Sequence, residues 1–133
     1  MVLVRVMLAA VIAAALPGCE SAPVKAIREE FRNLFQTHEG TPDLASGIKQ
    51  YEEANYAEAA RLLQSGLKKG LGKSDQVKAH KYLAFIHCVS GRERRCRDEF
   101  RAALKIDPAF ELAANEAGHP IWGPIFRAVK SQQ

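Results

Sequence analysis

The sequence predicts an all-α protein built from helical hairpins. Two segments of similar pattern follow each other, at residues 40–73 and 77–110, and each places small and large apolar residues at the spacing of packed helices. A third segment, at residues 23–38, carries an apolar stripe at positions i, i+4, i+7 and i+8. Repeated helical units with amphipathic flanks are typical of arrays in which each hairpin packs on its neighbour.

The later copy of the pattern is the clearer one. It follows the tetratricopeptide repeat of about 34 residues, with small residues where two helices approach closely and large ones where the groove between them is filled. The positions that carry the match are His80, Leu83, Ala84, His87, Cys96, Phe100, Ala103 and Pro108. Gly91 lies where the hairpin turns, and glycine adopts a positive φ there at low cost.

The earlier copy is more degenerate. Its most recognisable piece is residues 55–59, with Leu63 as the large residue of its second helix. Residues 69–74 contain two glycines and predict a lengthened turn between the copies. We expect Thr41 and Ser74 to cap the first helix of each copy, since a hydroxyl oxygen can accept hydrogen bonds from the first turn.

Two repeats rarely bury enough surface by themselves, so both flanks are expected to contribute caps. The N-terminal stripe fits a docked capping helix, a partner-binding helix or part of a loose tether, and it consists of Ile27, Phe31, Leu34 and Phe35. At the other end, we expect a helix that begins around residues 110–113 and ends at Gly118, then a last helix over residues 121–130. Residues 40–110 thus form two repeats, and residues 111–133 form a C-terminal capping segment.

The first residues have the pattern of a bacterial lipoprotein signal. Arg5 precedes residues 6–16, which carry no charge, and a short run that ends in Gly18 and Cys19 follows. Because a thiol accepts a diacylglyceryl group through a thioether, the pattern predicts cleavage after Gly18 and a lipid on Cys19. The alternatives are a plain secretory signal and a chance apolar start, since Pro17 departs from the usual lipobox.

This signal predicts a protein of the Gram-negative envelope. Several acyl chains anchor a protein firmly, whereas the apolar run before Cys19 is too short to span a bilayer. Glu20 follows the cysteine, and sorting rules retain mainly Asp at that position in the inner membrane, so we expect an outer-membrane lipoprotein that faces the periplasm. Residues 1–18 are then the signal peptide, and residues 19–39 are the acylated N-terminus, tether and amphipathic helix.

The charge pattern does not suit a nucleic-acid partner. The formal net charge is +4, from 19 Lys and Arg against 15 Asp and Glu. Apart from a basic run at residues 92–97, the basic residues are interspersed with acids, and no aromatic residues interleave with them as a single-strand binding surface requires. We therefore expect no nucleic acid among the partners.

Cys88 and Cys96 are an even pair once Cys19 is acylated. The bacterial periplasm oxidises thiols, and these two residues fall near the end of one helix and the start of the next, on either side of Gly91. We expect a disulfide between them. The alternative is two small buried apolar residues that never meet.

No constellation of residues favours catalysis. Four histidines lie on separate predicted elements, without a cysteine or carboxylate at ligand spacing: His38, His80, His87 and His119. Cys88 and Cys96 are not in a C-x-x-C arrangement, so we expect no redox catalysis. The chain is predicted to be neither an enzyme nor a metal protein, to take no small-molecule substrate, and to carry only the lipid on Cys19.

The expected activity is the binding of another protein. The stacked first helices of repeat hairpins form a groove that accepts an extended peptide or a partner helix. In this chain the groove should display Ile48, Tyr51, Glu52, Lys78, Lys81, Tyr82 and Phe85. This mixture suits a partner with apolar anchors and a carboxylate. The alternative is that both lysines are ordinary solvated side chains and that Phe85 belongs to the core.

Two stretches carry a resemblance to a known family. They are residues 76–91, taken with Cys96 and Phe100, and residues 116–124, which lie outside the repeat pattern. In these stretches the chain resembles the TssQ-like lipoproteins associated with type VI secretion. The resemblance implies a non-enzymatic accessory lipoprotein whose partner is an envelope component of the secretion machine.

The second of these stretches contains His119 and Trp122, for which two roles are open. They form either an exposed docking site for a secretion component or a cap that buries Trp122 against the last hairpin. The alternative function for the whole chain is that of a pilotin-like lipoprotein, which assists the assembly of a secretin or a type IV pilus.

Overall fold

The computed structural model describes residues 38–133 and, apart from them, only Ile27, which is helical and exposed. The predictions for the signal peptide, for Cys19 and for the rest of the N-terminal stripe lie outside the described residues. Within residues 38–133, six helices follow one another: α1 (Thr41–Glu52), α2 (Tyr56–Lys69), α3 (Lys73–Val89), α4 (Glu93–Ile106), α5 (Ala114–Ala117) and α6 (Trp122–Lys130). The described part of the chain contains no strand, which confirms the all-α prediction.

The first four helices form two antiparallel hairpins. In the first, Asp43 near the start of α1 accepts a hydrogen bond of 2.5 Å from Ser65 near the end of α2. In the second, Cys88 in the last turn of α3 is bonded to Cys96 in the first turn of α4. None of the helices in the described part is both long and apolar enough to cross a lipid bilayer.

The two hairpin turns have the same backbone geometry. Ala54 and Gly91 both have positive φ, at 61° and 71°. The next residues, Asn55 and Arg92, take the N-cap position with φ −82°, ψ 64° and φ −93°, ψ 61°. In both turns the N–H of this residue donates to the carbonyl oxygen five residues earlier, at 2.8 Å. The chain therefore uses one turn structure twice, and a helix of 14 residues follows each time.

The expected side-chain caps are absent, and glycines take their place. Gly40 and Gly72 occupy the N-cap positions of α1 and α3, so Thr41 and Ser74 lie inside the first turns of these helices. At Gly40 a Cβ atom would collide with the backbone of Gly66, because α1 and α2 approach closely there. Helix packing, rather than the capping preference of the hydroxyl residues, therefore fixes the start of α1.

The core consists of two clusters of buried side chains that meet at α3. One cluster joins α3 to α4 and α6 and contains Ala84, Phe85, Cys88, Cys96, Phe100, Leu104, Leu112, Trp122, Phe126 and Val129. The other joins α3 to α1 and α2 and contains Leu44, Ala59, Leu63, Leu71, Ala79, Leu83 and Ile86. Residues 83–88 are buried without interruption, so this stretch of α3 has no side that faces solvent.

A disulfide between Cys88 and Cys96 closes the second hairpin. The two Cα atoms are 5.2 Å apart, and both side chains are buried. The turn at Gly91 brings the end of α3 against the start of α4. A cross-link over so short a span stabilises the fold by about 2–3 kcal/mol, chiefly by restricting the unfolded chain.

The C-terminal segment folds back onto the second hairpin. α5 is a single turn and begins at Ala114, so the helix expected from residues 110–113 starts later than predicted. α6 packs against α4 and α3. Lys130 on α6 donates a hydrogen bond of 2.9 Å to the carbonyl oxygen of Phe110, which ties the end of α6 to the segment that follows α4.

The left-handed backbone at Ala54 leads to a prediction. This conformation costs an L-residue roughly 1–2 kcal/mol, and glycine relieves the strain at some cost in unfolded-state entropy. Ala54→Gly should therefore raise the free energy of unfolding by roughly 0.5–1 kcal/mol. Gly91→Ala imposes the strain on the other turn and should lower that free energy by about 1 kcal/mol. Urea unfolding followed by circular dichroism measures both changes.

The matched control for this prediction is Ala57→Gly, at an exposed position inside α2. Within a helix the same substitution is unfavourable by about 0.5–1 kcal/mol. A loss of stability in Ala54→Gly as large as that in Ala57→Gly would show that the turn places no special demand on residue 54.

Candidate functional site

Rings from three helices and one loop form a continuous row. Tyr51 on α1 lies edge-on to Tyr82 on α3, with centroids 5.0 Å apart, and Tyr82 lies 6.0 Å from Phe85 one turn later. Phe85 stacks on Trp122 of α6 at 4.2 Å. His119, in the loop before α6, stacks on Trp122 at 3.3 Å with the ring planes 4° apart. This aromatic row brings together five of the residues predicted to bind a partner.

Exposure divides the aromatic row into two parts. Phe85 is 2% exposed and Trp122 is 8% exposed, whereas Tyr51, Tyr82 and His119 are only partly buried. Of the two roles left open for each residue, these exposures favour the core for Phe85 and the buried cap for Trp122, rather than contact with a partner. Both side chains belong to the core, and Trp122 closes the second hairpin as a cap.

Lys81 links the aromatic row to the C-terminal segment. Its Nζ lies 2.5 Å from a carboxylate oxygen of Glu116 and 4.8 Å from the ring centroid of Tyr82. The side chains of the ion pair are 15% and 18% exposed, so water screens this pair less than it would a pair on the open surface. The ammonium group is thus held by a carboxylate and by a ring face, and it fastens α5 to α3.

Lys78 does not join the aromatic row. It is exposed, and its Nζ lies 3.4 Å from Asp75 one turn earlier on α3. Of the other residues expected in the groove, Ile48 packs against the core cluster of the first hairpin, and Glu52 is exposed at the end of α1. The residues predicted to line one groove therefore lie in different places. Tyr51 and Tyr82 belong to the aromatic row, Lys78 is exposed on α3, and Ile48 packs against the core.

Glu116 has a role that sequence analysis missed. Its carboxylate binds Lys81 and accepts a hydrogen bond of 3.0 Å from the N–H of Ala113, at the start of α5. Its carbonyl oxygen accepts a hydrogen bond of 2.9 Å from the indole nitrogen of Trp122. The sequence did carry one signal for this role. A glutamate at the third position of a helix can accept a hydrogen bond from the backbone N–H of the residue that caps the helix.

Three tyrosines lie together at one accessible end of the site. Tyr56 is 37% exposed, and its ring centroid lies 5.7 Å from that of Tyr51, whose ring in turn contacts Tyr82. We call Tyr51, Tyr56 and Tyr82 the tyrosine strip. Burial raises the pKa of Tyr51 to about 12, with smaller contributions from Tyr56 and Tyr82. The hydroxyl of Tyr51 therefore keeps its proton at neutral pH and can both donate and accept hydrogen bonds beside an apolar ring.

Two clefts flank the C-terminal segment. One, of about 510 Å³, lies beside Lys81, between the first half of α3 and the segment after α4. The other, of about 440 Å³, lies between α6 and the loop around α5. Both volumes fall in the range of ligand-binding pockets. Ile106 and Phe110 line the first cleft. Sequence analysis did not identify them as site residues, because they approach α3 only in the folded chain.

The histidines of the hairpins occupy separate environments. His80 lies 2.6 Å from a carboxylate oxygen of Glu99 on α4. His87 is buried, and its Nδ1 atom has no hydrogen-bond partner. Within residues 38–133, no group of three or more His, Cys, Asp or Glu is arranged to hold a metal ion.

No protein-family model matches this chain, and comparisons with curated proteins and with solved structures also find no significant match. Its function is therefore inferred from the residues and contacts described above.

The burial of Trp122 leads to a prediction. Trp122→Ala removes the stacking on Phe85 and leaves a cavity in the core, so the free energy of unfolding should fall by about 3–5 kcal/mol. Urea unfolding followed by circular dichroism measures the loss. Ile121→Ala is the control, because the neighbouring Ile121 is 46% exposed and should change stability by less than about 1 kcal/mol. Equal losses in the two variants would contradict the capping role of Trp122.

The buried His87 predicts a dependence of stability on pH. Burial lowers the pKa of His87, and the positive charge of Arg92 lowers it further. The unfolded chain takes up a proton near pH 6.5, as histidine ordinarily does, while the folded chain does so only at lower pH. Stability present above about pH 6.5 is therefore lost as the pH falls, by at most about 1.4 kcal/mol per pH unit.

His87→Phe removes this titrating group and should flatten the acidic limb of the stability curve. Chemical unfolding at a series of pH values from neutral to mildly acidic tests this for the wild-type chain and the variant. If the free energy of unfolding fell equally steeply with decreasing pH in both proteins, groups other than His87 would cause the loss of stability.

Proposed function

We propose that the two hairpins are tetratricopeptide repeats. Burial at the positions that define the repeat supports this assignment: Leu83, Ala84, Cys96, Phe100 and Ala103 are each at most 1% exposed. In the first hairpin, Ala59 and Leu63 are fully buried at the matching positions of the second helix. The common geometry of the two turns, at Ala54 and Gly91, is a further argument for one repeated unit.

The proposed function is that of a non-enzymatic adaptor that binds another protein through these repeats. The observation that carries it is the tyrosine strip, in which Tyr51 and Tyr82 come from the first helices of successive hairpins and lie 5.0 Å apart. Partly exposed tyrosines offer a large, rigid contact area with a polar end, a combination that is common at protein interfaces.

A lipid on Cys19 would tether this adaptor to the outer membrane, facing the periplasm. The disulfide of the second hairpin supports export, because such bonds persist in oxidising compartments and are rare in the cytosol. Tethering raises the effective concentration of an adaptor near envelope partners without any new contact. By its resemblance to TssQ-like lipoproteins, the chain acts as an accessory component of a type VI secretion system.

Affinity capture from crosslinked cells tests this function with the full-length tagged protein. Envelope components of the injection machine should be recovered with the wild-type chain and lost with Tyr51→Ala/Tyr82→Ala. Ile121→Ala, an exposed apolar side chain outside the tyrosine strip, is the control and should leave recovery unchanged. Cys19→Ser should move the protein out of the membrane fraction and remove the mass of the lipid.

Other outcomes of the capture would overturn parts of the proposal. Recovery of a secretin or pilus subunit would replace the secretion role with a pilotin-like one. Equal recovery with and without Tyr51 and Tyr82 would exclude the tyrosine strip as the binding surface.

A further inference from the structure

The larger cleft, of about 510 Å³, combines positive charge with an apolar floor. Three lysines lie along it on α3: Lys73, Lys78 and Lys81. They are the first, sixth and ninth residues of α3, and all three line the cleft. A ligand that lies along this helix would therefore meet a line of cations.

Acidic side chains neutralise this line only in part. Lys81 is held by Glu116, and the contact of Lys78 with Asp75 is long, at 3.4 Å, and open to solvent. Lys73 is exposed and forms no ion pair within residues 38–133. Asp107 is the one acid in the described wall of the cleft, and its carboxylate accepts a hydrogen bond of 3.0 Å from a backbone N–H two residues on.

The floor of the cleft is apolar. Val77 is 7% exposed, and Ile106 and Phe110 are partly exposed at the end of α4 and just beyond it. The ring of Phe110 packs edge-on against Phe126 of α6 at 5.6 Å, which holds it in place. One large apolar side chain could thus be buried between α3 and the segment after α4, while its neighbours remain among the lysines.

The chain itself shows which chemistry this side of α3 accepts. A carboxylate, Glu116, binds Lys81, and an aromatic ring, Trp122, stacks on Phe85 one turn further along α3. Both belong to residues 116–122, which run from the end of α5 through a short turn to the first residue of α6. The cleft offers the same pair of features, a lysine and an apolar surface, one to two turns nearer the start of α3.

We propose that this cleft binds an acidic peptide segment that carries one large apolar side chain. The carboxylates of the peptide lie against Lys73 and Lys78, and its apolar side chain enters between Val77, Ile106 and Phe110. This inference rests on the proposed adaptor function and specifies the chemistry of its partner. α3 then contributes side chains to two contact regions, the tyrosine strip and the cleft.

Selection from a random peptide library tests the proposal with the full-length protein held in detergent micelles. Peptides are selected against the wild-type chain and against Lys73→Glu/Lys78→Glu. The wild-type chain should enrich peptides in which acidic residues flank one large apolar residue. The affinity of the best such peptide, measured by isothermal titration calorimetry, should fall at least about tenfold in the variant.

Lys68→Glu/Arg94→Glu is the matched control. It makes the same change in net charge at two exposed residues outside the cleft that form no ion pair within residues 38–133. This control should bind the selected peptide as the wild-type chain does, and circular dichroism should show that both double variants remain folded. A consensus without acidic residues, no consensus, or equal affinity in all three proteins would overturn the proposal.

The cell capture described above separates this result from the adaptor function. If secretion components are still recovered with Lys73→Glu/Lys78→Glu and no acidic consensus emerges, the adaptor role stands and the cleft is not its site. If neither experiment yields a partner that depends on α3, both proposals fail.

Discussion

The ring of Phe85 is the contact on which the rest of the structure depends. It touches rings from α1, α3, α4 and α6, namely Tyr51, Tyr82, Phe100 and Trp122. Two hairpins that met only through their own helices would leave one face of α3 open to water. The stacking of Trp122 on Phe85 covers that face, and the ion pair between Lys81 and Glu116 fastens the covering segment beside it. The ring of Phe85 therefore joins the second hairpin to the C-terminal segment and to Tyr51 of the first hairpin.

This arrangement makes the proposed binding surface continuous with the core. Tyr51 and Tyr82 are partly exposed members of a row in which Phe85 and Trp122 are buried. Their orientation is consequently set by packing rather than by a mobile loop, so a partner would meet a surface that loses little conformational entropy on binding. The same rigidity positions the lysines of α3, because that helix is enclosed over residues 83–88.

Features that depend on local chain chemistry could be predicted from the sequence. The helical hairpins, the positive φ of Gly91 and the approach of Cys88 to Cys96 follow from spacing within one repeat. Features that depend on distant segments could not. From the sequence, Phe85 fits an exposed position in the groove. In the structure it is buried, because Trp122, more than thirty residues later in the chain, stacks on it. Ala54 gives no sign of a left-handed conformation, since alanine usually avoids it, and only the tertiary pairing of α1 with α2 imposes it.

The disulfide closes one hairpin and leaves the other without a cross-link in the described part of the chain. The two halves therefore differ in mechanical strength. A pull from the N-terminal side, where a membrane tether would act, loads α1 and α2 first, and these can peel away by breaking only non-covalent contacts. The disulfide prevents the residues between Cys88 and Cys96 from being extended. Under such a pull the turn at Gly91 would keep its length, whereas the lysines of α3 precede Cys88 and lie outside the closed loop.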